Sequence, residues 1–248
     1  MPNLPKHIEL ANLSSKKIYS HSISNNIGYF LLGSTAPDMH VITTENREKY
    51  HFSTLSVKKI GTSLDNILAK FPELRNIREQ NPETQAFFAG YISHLIADEI
   101  WINRIFRPFF GNKSIYPDEI FGQLMDRAVQ LDMDKQAWPI LNNSLVYIKN
   151  ATNDLNINFI KNNILYKWRE WITQFLSSDF NWQRLNFMAK RIAKRNSNTS
   201  VYKMADYFLE SVDDNLKQTY SKLSKNVIIQ YEKETIDTTV QSIGALIS

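Results

Sequence analysis

The stretch PETQAFFAGYISHLIADEIWINRIF, residues 82–106, reads as one long helix. Pro82 suits a first helical turn, where its missing N–H costs nothing, and Pro108 just past the stretch predicts the end. His94 and Asp98 stand four residues apart inside it. Four residues of α-helix turn through about 400° and rise about 6 Å, so the imidazole and the carboxylate leave the same face. Phe87, Tyr91, Trp101 and Ile105 fall near that face, which puts the pair on an apolar stripe. A carboxylate there needs a cation or a hydrogen-bonding partner. Taken alone, H-x-x-x-D more often marks a plain polar pair than half of a metal site.

The remainder of the chain carries the same helical stamp. Of 248 residues only 7 are glycine and 8 proline, which favours long helices with short connections over many short strands. Apolar residues make up 43% and charged residues 22%, the balance of a folded chain and not a disordered one. Helical spacing recurs in TSLDNILAKF, YPDEIFGQLMDRAVQLDM, INFIKNNILYKWREWITQFL, WQRLNFMAKRIAKR, VYKMADYFLESVDDNLKQTYSKL and KETIDTTVQSIGALI. The links FGNKSIY, SSDFN and NSNTS are short and polar. IELANLSSKKIYS can form a helix, whereas FLLGSTAPDMHVITTENREKYHF, mixing glycine, proline and β-branched residues, predicts a long irregular N-terminal loop. The expectation is an all-α bundle, a single domain over residues 1–248.

Cysteine is absent, so any metal must be held by imidazole and carboxylate. The five histidines are His7, His21, His40, His51 and His94, four of them within the first 51 residues. Two histidines with one or two aspartates leave a coordination position open for water, the pattern of a catalytic zinc. His40, two residues past Asp38, is more simply a surface or supporting residue, and His21 a structural one. Glu48 and His51 form a single E-x-x-H, and a di-iron site needs that motif twice.

The segments MPNLPKHIELA, GSTAPD at Gly33 to Asp38, HF at His51 and AGYISHLIADEIW at Ala89 to Trp101 together resemble the zinc-dependent phospholipase C family, in its bacterial branch. The resemblance covers roughly the first 110 residues. It implies an all-helical bundle whose zinc ions are held by histidines and aspartates. It implies that His7 is the early histidine ligand, Asp38 the aspartate ahead of the second histidine, and His51 that histidine. His94 and Asp98 would be the helical pair, with Asp98 able to bridge two metals. The family's best-known enzymes fill a third position with two histidines and a glutamate further downstream. No histidine follows His94 here, so the resemblance extends to one zinc ion or two, with another divalent metal as the alternative.

The function expected is metal-dependent hydrolysis of a phosphoester-like substrate, small or lipid-like, with Asp38 or Asp98 as the catalytic base. The alternatives are a repurposed metalloenzyme acting on another small molecule, or a binding or structural protein that keeps the bundle. Arg104 and Arg107, one and two turns past Asp98, are candidates to bind phosphate, against the plainer reading of solvated arginines at a helix end. Lys190, Arg191, Lys194 and Arg195 line one short helix that suits anionic lipid, though a solvated face explains them more simply. The net charge of +4 is mild and gives no reason to expect a nucleic-acid partner. No window approaches the roughly 20 apolar residues of a membrane span. With no signal-like run at the start, a cytoplasmic protein is expected.

Overall fold

The computed structural model describes residues 1–111, 115–151 and 155–247, and every regular element among them is helical. The chain opens with α1 (Leu4–Ser15), which has Pro5 in its first turn, followed by α2 (His21–Asn25) and α3 (Ile27–Gly33). A 3-10 segment (Ala36–Ile42) leads to α4 (Arg47–His51) and α5 (Thr62–Lys70). A second 3-10 segment (Pro72–Glu79) precedes α6 (Pro82–Ile100), where the Asn81 side chain accepts from the Thr84 N–H at 2.8 Å.

The long N-terminal loop expected for residues 30–52 is not there. Its glycine and proline, read as loop signals, mark helix boundaries instead. Gly33 is the last residue of α3, and Pro37 sits in the first turn of the 3-10 segment, where a fixed φ is no handicap. What stays irregular is the Ser34–Thr35 turn and residues 43–46.

α6 is the axis of the molecule. Of its 19 residues 16 are buried, so it is covered on all sides and not along one stripe. The winding does not stop before Pro108. It loosens to a π-helix over Trp101–Phe110, and Gly111 N–H closes it on the Phe106 carbonyl at 2.7 Å. α3 lies directly across α6, with Gly33 and Gly90 at the crossing. α1 and α3 also pack on α7 (Glu119–Asn150), whose start is capped by Asp118 and which runs on through Pro139.

The link Phe110–Tyr116 falls partly outside the described residues, at 112–114. The rest of the chain is α8 (Asn162–Leu176), α9 (Arg184–Asn196), α10 (Ser200–Glu210), α11 (Val212–Lys222) and α12 (Lys225–Ile247). The stretch expected as one helix over 201–223 breaks at Ser211, whose φ of −146° and ψ of 65° are not helical. α12 returns to pack on α6 and α1. Among the described residues no helix is long and apolar enough to cross a membrane.

Candidate metal centre

Four pieces of this framework deliver the five candidate ligands. His7 comes from α1, Asp38 from the first 3-10 segment, His51 from the end of α4, and His94 and Asp98 from the C-terminal half of α6. All five meet at one place, with the His7 and His94 rings stacked at 3.7 Å between centroids and 8° between planes. The side chains of His7, His51, His94 and Asp98 are all but sealed from solvent, while Asp38 keeps 18% of its surface exposed.

The distances have a common value. Asp98 Oδ2 lies 3.2 Å from His51 Nε2 and 3.6 Å from His94 Nε2. The two Nε2 atoms are 3.3 Å apart, and Asp38 Oδ1 is 3.5 Å from His51 Nε2. Ligands placed tetrahedrally at about 2.0–2.2 Å from zinc stand about 3.3–3.6 Å from one another. These four separations match edges of a zinc tetrahedron.

Hydrogen bonding on the far side of each ring says which atoms face inward. His94 Nδ1 donates to the Ser34 carbonyl at 2.8 Å, and His51 Nδ1 to the Arg47 carbonyl at 3.2 Å. A carbonyl oxygen can only accept, so the neutral rings carry their hydrogen on Nδ1 and present a lone pair on Nε2. Burial pushes His51 down to about 4, which keeps it neutral. Burial also lowers His94, but the charge of Asp98 outweighs it and the net shift is upward. Asp98 runs the other way: burial favours its neutral acid, yet the neighbouring His94, His51 and His7 hold it well below the usual carboxylate range. Two imidazole lone pairs and a carboxylate converging in a sealed space form a donor set for a cation.

The second oxygen of Asp98 faces elsewhere. Asp98 Oδ1 is 3.3 Å from His7 Nε2 without being aligned for a hydrogen bond. Among the described residues neither nitrogen of His7 nor Asp98 Oδ1 has a hydrogen-bonding partner, although all three atoms are buried. Burial lowers the pKa of His7, so it too offers a lone pair. His7, His94 and Asp98 thus make a second group able to share an ion, next to Asp38, His51 and His94.

Apart from Tyr91, the supports are built from residues that no spacing rule singled out. Trp168 Nε1, fully buried in α8, donates to Thr35 Oγ at 3.0 Å and pins the turn whose Ser34 carbonyl orients His94. The Tyr91 hydroxyl donates to the Tyr50 carbonyl and ties α4 to α6. Phe52, directly after His51, takes a left-handed φ of 56° and packs its ring among Phe71, Tyr91 and Phe159. Glu99 is buried beside Asp98 and caps α5, accepting from the Gly61 and Ser63 N–H groups at 2.5 and 2.6 Å. Arg47 Nη2 donates to Asp98 Oδ2 at 2.7 Å, and Nη1 to the Ser53 carbonyl at 3.2 Å.

Other candidates lie apart from the cluster. Arg104 is spent on Glu234, with three contacts of 3.0–3.1 Å. Arg107 bonds Asn103 Oδ1 at 2.5 Å and the Leu55 carbonyl at 3.0 Å. His21 and Glu48 are exposed, as are Lys190, Arg191, Lys194 and Arg195 on α9. His40 stands at the rim, its ring 5.6 Å from that of His51.

The sequence model of one family, described as zinc dependent phospholipase C, matches residues 6–175. That span runs from the start of α1 into the last turn of α8 and contains every residue of the cluster. No individual curated protein and no solved structure matches the chain. The chain belongs to the zinc-dependent phospholipase C family.

Proposed function

We propose that this protein is a zinc-dependent hydrolase of phosphoesters. In this reading Asp38, His51, His94 and Asp98 hold one ion, and His7 with the outer oxygen of Asp98 contributes a second position. The observation that carries it is the convergence of the donor atoms: Asp98 Oδ2, His51 Nε2 and His94 Nε2 lie within 3.6 Å of one another, and Asp38 Oδ1 lies 3.5 Å from His51 Nε2.

Held by these residues, zinc would supply a lowered pKa for bound water and polarisation of a phosphoryl oxygen. The chain's own residues divide the remaining work. His51 and His94 are fixed in tautomer and orientation by the Arg47 and Ser34 carbonyls, so they act as ligands and not as proton carriers. Asp98 is enclosed, with its Oδ2 already accepting from Arg47. Asp38, at the solvent edge, is the carboxylate placed to take the proton from an attacking water. The buried wall formed by His7, His94 and Tyr91 keeps bulk water away from the inner side.

The test is metal content together with turnover. Protein purified without chelator is analysed for zinc and assayed on bis(p-nitrophenyl) phosphate and on short-chain phosphatidylcholine, before and after chelation. Zinc in the protein and a phosphodiesterase rate that chelation abolishes and zinc restores are expected. Bound zinc without turnover of any phosphoester would replace the hydrolase with a metal-holding, non-catalytic member of the family.

A further inference from the structure

We infer that Arg47 is the residue that grips the phosphoryl group of the substrate, an inference that rests on the phosphoester reading above. Three observations point to it. The first is access. Within the cluster, His7, His51, His94 and Asp98 keep 3% or less of their side-chain surface, whereas Arg47 keeps 13%, Asp38 18% and His40 19%. An anion approaching the inner ligands passes Arg47, the one cation among these three.

The second is a half-used hydrogen-bonding edge. In a guanidinium, Nε–H and one Nη2–H run parallel along one edge, the edge that binds carboxylate or phosphate with two bonds. Arg47 Nη2 donates to Asp98 Oδ2 at 2.7 Å and to Met1 Sδ at 2.8 Å, but Nε is buried and has no partner among the described residues. The opposite corner is anchored, since Nη1 donates to the Ser53 carbonyl. Ser53 Oγ bonds Ser63 Oγ at 2.7 Å, and Ser63 is held by Glu99, the neighbour of Asp98 in the chain. A closed ring of contacts thus fixes the guanidinium plane and leaves one buried N–H unspent beside the metal ligands. Ser53, whose carbonyl Arg47 holds, also lines a surface cleft with Glu48, Phe52, Asn66 and Lys70.

The third is charge. Two carboxylates, one guanidinium and one divalent ion leave a single positive charge, which a phosphodiester monoanion neutralises. Without Arg47 the loaded site is neutral and has no such preference.

The experiment uses the zinc-loaded protein and inorganic phosphate, with binding measured by calorimetry and zinc by elemental analysis. Arg47→Gln is expected to keep its zinc and to bind phosphate at least tenfold more weakly. Arg47→Lys is expected to fall between the two, since it restores the charge and not the paired donors. Undiminished phosphate affinity in Arg47→Gln overturns the inference, and so does loss of zinc from it, which would make Arg47 a support of the ligand set. Should Arg47→Gln fail to fold, Arg47→Lys decides, and wild-type phosphate affinity there overturns the paired grip. Failure of the zinc-loaded wild type itself to bind phosphate counts against the phosphoester reading and takes this inference with it.

Discussion

Gly90 lies so close to the Phe30 carbonyl that a Cβ on it would come within 1.8 Å of that oxygen. The relationship is reciprocal, because a Cβ on Gly33 would come within 2.0 Å of the Phe87 carbonyl. α3 and α6 therefore cross backbone against backbone. That crossing is what brings the Ser34 carbonyl to 2.8 Å from His94 Nδ1. Packing and metal geometry are one constraint here.

Gly90→Ala is accordingly expected to damage both. The obstructing atom is backbone, so relief requires the helices to part, and overpacking of this kind costs about 1–3 kcal/mol or more. Thermal denaturation of the chelated protein should show the loss. Zinc analysis should show a reduced stoichiometry even in the folded fraction. Full zinc occupancy at wild-type stability would separate the crossing from the site.

His94→Ala removes an inward lone pair and a ring that stacks on His7. Zinc affinity should fall by more than the roughly 10–100-fold that follows loss of an outer-shell partner. His21→Ala, on the exposed start of α2, should leave affinity unchanged. Equilibrium dialysis against a competing chelator compares the two, and equal losses would contradict the assigned ligand set.

His7→Ala distinguishes one ion from two. It faces Asp98 Oδ1 at 3.3 Å, while His51 and His94 approach Oδ2. If two ions bind, the variant should lose one equivalent and keep the other. Binding of a single equivalent by the wild type would remove the second position from the reading.

Much of this arrangement was legible in the sequence. The H-x-x-x-D spacing in an apolar helix points to His94 and Asp98, the lack of cysteine limits the ligands to imidazole and carboxylate, and the family resemblance adds His7, Asp38 and His51; the fold brings these five together. The irregular segment was misread because glycine and proline signal a boundary without saying what lies beyond it. Treating residues 30–52 as loop also hid Arg47: only when α4 is helical does its carbonyl meet His51 while its side chain meets Asp98. Arg104 and Arg107 were chosen for nearness in sequence to Asp98. The π-helical turn carries them instead to Glu234, Asn103 and Leu55. Glu99 and Trp168 act through contacts 36 and 133 residues away in the chain, which no local spacing reveals.

Asp134 supplies a pH-dependence unconnected with metal. Its carboxyl is buried where α7 meets α1, with Asn3 Nδ2 donating to Oδ2 at 2.8 Å and Oδ1 lacking a partner. Burial pushes it up to about 7, against 3.8 for an ordinary aspartate. Below the ordinary value the group is neutral in the folded and unfolded chains and contributes nothing. Between the two values the unfolded chain has released the proton that the folded chain still holds, so stability falls as pH rises and levels off above about 7. A shift of this size corresponds to on the order of 4 kcal/mol at the plateau. Asp134→Asn keeps an oxygen for Asn3 and cannot ionise, so its stability relative to wild type should grow from pH 4.5 to about pH 7 and then level off toward pH 8. The new amide hydrogens, facing the unpartnered side, add a cost that does not vary with pH, which is why the slope and not the absolute difference is the readout. Urea denaturation of both proteins in chelator, which removes the metal's own pH-dependence, measures it. A difference that stays constant over that range would mean that Asp134 ionises in the folded protein as freely as in water.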